Sequence, residues 1–167
     1  IVAYDPFRTA SSRQDLPVLS EELSARLRVI THSCEADEQV YVGKTSNGIE
    51  IHLNKLFAEA DVKILAGPVE PHPIAGYSGG RELVLPGVAS LDSIREVFQL
   101  GIDGKAKRGN LEGNLVHEEM VKAADLAQVD FALNIVRDSR LNIVKVFAGD
   151  IDKTFEKSVR LAEEIYK

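Results

Sequence analysis

The chain has 167 residues, 44% hydrophobic and 28% charged, which suits one α/β domain with a real core. A formal net charge of −6 argues against a nucleic-acid surface, since phosphate contacts need clustered Lys and Arg, and Lys105, Lys107 and Arg108 make too short a run. No apolar stretch approaches a membrane span, no signal peptide is visible, and the single cysteine, Cys34, leaves no internal disulfide or thiolate metal cluster and fits a reducing cytoplasm.

Ile1-Val2-Ala3-Tyr4 reads as a strand already under way, and with Ile first the expectation is a domain entered after its first strands. Asp5 to Pro17 is polar and turn-rich. Ser20 before Glu21-Glu22 signals a helix start, with Leu23 and Leu27 on the apolar face. Arg28-Val29-Ile30 reads as a short strand. Tyr41 to Thr45 and Ile49 to Leu53 flank Asn47-Gly48, the strongest hairpin signal in the chain. A short helix around Leu56 to Ala60 leads into a buried strand, Val62 to Ala66.

After the distinctive segment 67–82, helix signals return at Ser90, with Leu91, Ile94, Val97 and Phe98 at helical spacing. Lys105 to Asn114 is a glycine-rich charged loop. His117 to Gln128 is helical, with Met120, Ala123, Ala124 and Ala127 on one side. Phe131 to Val136 and Ile143 to Phe147 are strands joined by a turn at Asp138-Ser139-Arg140. Asp152 is expected to cap a last helix whose apolar face carries Phe155, Val159, Ala162 and Ile165. Strands alternating with helices predict a Rossmann-like layered α/β domain, and the two hairpin-like pairs predict a mixed sheet flanked by helices.

Ligands of open α/β sheets bind beyond the carboxyl ends of strands, so the loop after Leu65-Ala66 is the first place for a site. Pro68, Pro71 and Pro73 stiffen it, and His72 between them suits proton transfer near neutral pH. Gly76, Gly79 and Gly80 leave backbone amides accessible ahead of residues that read as helical. With the Ser78 hydroxyl they offer a site for a small anion. The plainer reading is a turn closed by a lone histidine. No Gly-Lys-Ser/Thr triplet occurs, and the glycine spacing differs from the dinucleotide fingerprint.

Glu70-Pro71-His72, then Ala75-Gly76-Tyr77-Ser78-Gly79-Gly80-Arg81 and Leu85-Pro86-Gly87-Val88-Ala89, resembles the signature of the nickel-dependent lactate racemase family, in its N-terminal domain. Gly43 to Gly48 and Asn54-Lys55-Leu56 upstream are similar to the family as well. So are Leu111 to Asn114, Val116 to Met120 and Val146 to Asp150 downstream, so the resemblance covers nearly the whole chain. It implies residues 1–167 as a racemase-like N-terminal domain lacking its first strands, in a protein with a second domain. It further implies an isomerase that inverts 2-hydroxy acids through a nickel pincer nucleotide (pyridinium-3,5-bisthiocarboxylic acid mononucleotide). In that scheme two histidines alternate as acid and base, a lysine tethers the cofactor and another histidine binds nickel.

Carried over by position, His72 matches one acid/base histidine, and the 76–81 run (Gly76, Tyr77, Ser78, Gly79, Gly80, Arg81) is the expected cofactor-binding segment. Phe7 stands where the other histidine is expected, Glu82 where the lysine is, and Phe98 where the nickel ligand is. Phe7 cannot move a proton, Glu82 reverses the tether's charge, and Phe98 cannot ligate a metal, so no metal ligand is assigned.

The remaining candidates have plain readings. His32 with Cys34 lacks a third ligand and reads as an ordinary loop. His52 reads as a surface position on a strand. His117-Glu118-Glu119 is not a zinc motif, because position 121 is Val; the glutamates suit the first turn of a helix. Glu82 is either a base in altered chemistry beside His72 or a solvated glutamate at a helix start. Lys105 and Lys107 replace the lost lysine only if their loop folds back. Three functions stay open: a diverged hydroxy-acid enzyme with His72 as its proton-transfer group; a non-catalytic or altered homologue that binds a small anion on the Gly76–Gly80 loop; and a domain that serves a neighbouring domain.

Overall fold

A computed structural model describes Ile1, Ala3 and residues 21–167. The opening strand, the Ser20 helix start and Phe7 lie outside the described residues. Helix α1 (Glu21–Arg26) leaves Leu27 half exposed, so the expected apolar face is not buried there; the side chain of Leu23 is outside the description. Arg28-Val29-Ile30 is not a strand. Val29 and Ile30 have strand-forming side chains, yet they join no ladder among the described residues, and tertiary context overrides their propensity.

Strands β1 (Gln39–Lys44) and β2 (Glu50–Asn54) form the expected antiparallel hairpin around Asn47-Gly48, where Gly48 adopts φ +88°. Helix α2 (Lys55–Ala58) follows directly, capped by Asn54, whose Oδ1 accepts from Leu56 N at 3.0 Å. Strand β3 (Ile64–Pro68) is succeeded by two short strands, β4 (Pro71–His72) and β5 (Gly76–Tyr77), and a 3₁₀ turn over Gly80–Leu83. Helix α3 (Leu91–Gln99) begins on the expected Ser90 cap, and α4 (Leu115–Ala127) on Asn114. Strands β6 (Phe131–Arg137) and β7 (Ile143–Gly149) lead to α5 (Ile151–Ile165). The cap of α5 is Asp150, which accepts from the amides of Asp152 and Lys153; the expected Asp152 lies two residues later, inside the first turn.

The main sheet has the order β3-β6-β7, with β3 parallel to β6 and β6 antiparallel to β7, the mixed arrangement expected. Among the described residues, none forms a helix long and apolar enough to cross a membrane. Alternation along the strands gives the sheet two unlike faces. Leu65, Gly67, Ala132, Asn134 and Val136 point inward, beneath the 3₁₀ turn and α5. Ile64, Ala66, Leu133, Ile135, Val146 and Ala148 lie in register on the other face, where Ile64 is 57% and Val146 45% exposed.

Two apolar clusters fill the interior. The larger joins the hairpin (Ile51, Leu53), the segment Val84 to Ala89, α3 (Ile94, Val97) and α4 (Val116, Met120, Ala123). The smaller packs α5 (Phe155, Val159, Ala162) against Val136, Val69 and Tyr77. Fully buried Asn114 ties them to the signature segment. Its Nδ2 donates to the carbonyls of Ile74 (2.8 Å) and Asn110 (2.9 Å), and its Oδ1 accepts from His117 N (3.3 Å). Asn114→Ala removes the cap and strands two carbonyls, with an expected loss of about 1–2 kcal/mol in the urea unfolding free energy.

Candidate functional site

The polypeptide leaves the carboxyl end of β3 at Pro68 and turns at once into the β4–β5 pair, which sets Pro71 opposite Tyr77 and His72 opposite Gly76. This tight pairing requires Gly76. It has φ +81°, and an added Cβ would sit 2.3 Å from the carbonyl oxygen of Asn110. Ser78 fastens the base of the pair. Its amide donates to Glu70 O (2.7 Å), and its Oγ accepts from Glu70 N (3.0 Å) and donates to Pro68 O (3.2 Å). The Glu70 carboxylate in turn receives Arg137 Nε at 2.9 Å and Nη2 at 2.5 Å, anchoring the loop to the end of β6. Arg137 carried no signal in the sequence, because its partner lies 67 positions away.

His72 is buried, 6% exposed. Its Nδ1 accepts from the amides of Ala75 (2.9 Å) and Ile74 (3.3 Å). A nitrogen that accepts two N–H groups holds a lone pair, so the proton of the neutral ring resides on Nε2. Nε2 lies 3.4 Å from Glu82 Oε1, and Glu82 Oε2 accepts from Gly79 N at 2.9 Å. The two residues proposed for catalysis are therefore brought together. Glu82 does stand in the first turn of the 3₁₀ segment, but it is not solvated: its side chain is 19% exposed and bridges an imidazole and a backbone amide.

The expected helix after Gly80 is only the four-residue 3₁₀ turn. Arg81, 7% exposed, bridges to Asp152 on α5 and stacks over the Phe155 ring at 4.6 Å. Gly80 makes room for that ring, since a Cβ there would lie 3.2 Å from it. His117 of α4 also stacks on Phe155, centroids 5.8 Å apart. Tyr77 is buried and its phenol pKa is raised, by desolvation first and by Glu163 second. The 76–81 segment thus spends Ser78, Gly79 and Arg81 on internal bonds.

His117 has its pKa lowered from 6.5 to about 4, chiefly by burial and then by Arg81. The unfolded chain consequently binds more protons between pH 6.5 and about 4, so stability falls as the pH drops through that window. His117→Phe keeps the stack without the titration and should flatten the fall, read as urea midpoints at pH 7 and pH 5.

The other candidates settle into the scaffold. Phe98 is half-buried and packs against the larger core. His32 donates from Nε2 to Ala89 O at 2.9 Å and sets Nδ1 3.0 Å from Asp37 Oδ2, the structural role the loop reading gave it. Cys34 is half-buried, its thiol pKa raised by burial and then by Glu35. His52 is half-buried against Tyr41, ring centroids 5.4 Å apart. Lys105 lies against Gly113 of its own loop, where a Cβ would meet its Nζ at 2.7 Å. Among the described residues, no group of three or more His, Cys, Asp or Glu is arranged to hold a metal ion.

Glu118 does lie in the first turn of α4, as expected, but the first-turn reading misses Glu119, which is fully buried beside Val116 and Met120. The helical spacing of Val116, Glu119, Ala123 and Ala127 was the available signal.

The model of the family described as the lactate racemase N-terminal domain matches residues 1–109. The lactate racemase of Thermoanaerobacterium thermosaccharolyticum is 34% identical over 163 residues, 95% of this chain and 38% of that protein. That of Lactiplantibacillus plantarum is 32% identical over 168 residues, 99% of this chain and 40% of that one. The solved lactate racemase apoprotein from T. thermosaccharolyticum superimposes with a TM-score of 0.83 at 35% identity, covering 87% of this chain and 36% of that one. A Thermotoga maritima protein shares the fold at TM-score 0.65 and 21% identity. The chain thus spans about two fifths of the length of the curated relatives it matches.

Proposed function

The chain belongs to the lactate racemase N-terminal domain family, and from that premise we propose that it carries the proton-transfer site of an isomerase acting on a small 2-hydroxy acid or a related polar acid. One observation carries the reading: buried His72, locked as the Nε2–H tautomer, faces the Glu82 carboxylate. The ionised carboxylate is the base for the substrate hydroxyl proton; inversion further needs the C2 hydride to pass to an acceptor and return on the other face, and we assign that acceptor to a group outside these side chains. His72 Nε2–H steadies the carboxylate before transfer and shares the proton after it. The β4–β5 hairpin and the 3₁₀ turn flank the pair, the first held to β6 by Glu70–Arg137 and the second to α5 by Arg81–Asp152. We assign the other contacts of the substrate to a second domain of the longer polypeptide, in keeping with relatives more than twice this length.

The nickel pincer nucleotide of the family does not fit the side chains of this site. Its tether needs an amine where Glu82 places a carboxylate already bonded to Gly79, and Phe98 packs on the larger core, which removes position 98 as the place of the nickel ligand. The other reading, a non-catalytic homologue with a small anion on the Gly76–Gly80 loop, has less to offer a ligand. The Gly79 amide and the Ser78 hydroxyl already serve Glu82 and Pro68, and Arg81 serves Asp152.

The test uses the full polypeptide and single enantiomers of a panel of 2-hydroxy acids, followed by chiral chromatography. Conversion of at least one acid, lowered about a hundredfold by Glu82→Gln, is the expected result. Saturable binding without conversion, unchanged by Glu82→Gln, would select the anion-binding reading. No conversion and no binding would reject both.

A further inference from the structure

Helix α4 turns an apolar stripe to the interior: Val116, Met120, Ala123, Ala124 and Ala127. Glu119 lies in that stripe and is wholly buried. Its Oε1 accepts from Asn47 Nδ2 of the β1–β2 turn at 2.7 Å. Its Oε2 is equally shut from water and has no hydrogen-bond partner among the described residues. A carboxylate placed so is costly unless a cation or further donors meet it. Above it, between the turn and α4, opens a cavity of about 290 Å³ lined by Ser46, Asn47, His117, Glu118, Glu119 and Lys122, with Val121 on one side. Lys122, the one lysine in this lining, is turned to Asp125 at 3.7 Å.

These groups define the chemistry of an occupant. A metal ion is a poor one, because too few ligating side chains converge among the described residues. A guest with several N–H donors and a positive charge suits them better. Neutral His117 and the Ser46 hydroxyl can accept as well as donate, and the orphaned Glu119 oxygen only accepts when ionised. We propose that the groove between the β1–β2 turn and α4 is a second binding site, which takes the ammonium group of a small primary amine onto Glu119 Oε2, with His117 and Ser46 as further acceptors. The site is built from residues other than His72 and Glu82, so it stands or falls independently of the proposed activity.

The full polypeptide is titrated with ethylammonium chloride, and with tetraethylammonium chloride at equal ionic strength as a cation without N–H donors. Ethylammonium should saturate, raise the melting temperature and shift the side-chain amide signals of Asn47 in ¹H–¹⁵N spectra; tetraethylammonium should do none of these. Glu119→Gln should abolish the response, and His117→Phe should weaken binding about tenfold. Equal responses to the two cations, or a response that survives Glu119→Gln, would overturn the proposal. If Glu119→Gln does not fold, an unchanged affinity in His117→Phe overturns it alone. Absence of any ethylammonium response does the same.

Discussion

His72→Asn is expected to lower turnover of the hydroxy-acid substrate by about a hundred- to ten-thousand-fold, the range over which a positioned acid or base contributes. Asparagine is the informative choice because of how the ring is held. Nδ1 accepts the amides of Ala75 and Ile74, and an amide oxygen stands close to the same position. The loop therefore keeps its acceptor, and the position loses only the Nε2 proton that faces Glu82. Folding is checked by the melting temperature and by ¹H–¹⁵N spectra, activity by chiral chromatography. Wild-type turnover in a folded His72→Asn protein would remove His72 from the mechanism.

The largest structural effect is expected at Gly76. Gly76→Ala places a methyl 2.3 Å from the carbonyl oxygen of Asn110, which is backbone and cannot swing aside, at a φ of +81°. The left-handed conformation costs about 1–2 kcal/mol for an L-residue and overpacking about 1–3 more, so a loss of about 2–5 kcal/mol follows. Because Gly76 is the strand partner of His72, the same change should displace the imidazole and depress activity in whatever protein remains folded. Gly104→Ala is the control: nothing lies within 4 Å of its added Cβ, and urea unfolding should differ little from wild type.

Much of the fold was legible in the residues because it is local. Asn47-Gly48 specifies its hairpin through a positive φ, and Ser90 lies at a helix start that periodicity had already marked, whereas α4 begins at Leu115, ahead of the expected His117. What stayed hidden depends on distant partners. Val29 and Ile30 have strand-forming side chains but join no strand among the described residues. Asp150 outcompetes Asp152 as a cap only because β7 runs straight to Gly149, which moves the first helical residue forward. In the site, the closeness of His72 and Glu82 was readable from one short segment, whereas the tautomer was not. That follows from two backbone amides whose direction exists only once Gly76 has closed the β4–β5 turn. Glu119 shows the converse, a charge whose position in an apolar stripe outweighed its type.

The outer face of the β3-β6-β7 sheet has a consequence for the behaviour of the material in solution. Among the described residues, Ile64 and Val146 on that face are apolar and exposed, on a chain whose formal charge is −6. Molecules of like charge repel over roughly the Debye length, about 10 Å at 0.1 M salt and about 3 Å at 1 M. Added sulfate shortens that repulsion and at the same time strengthens the attraction between apolar surfaces. Both act in one direction, so colloidal stability should be greatest in dilute buffer and should fail sharply, not gradually, as sulfate rises.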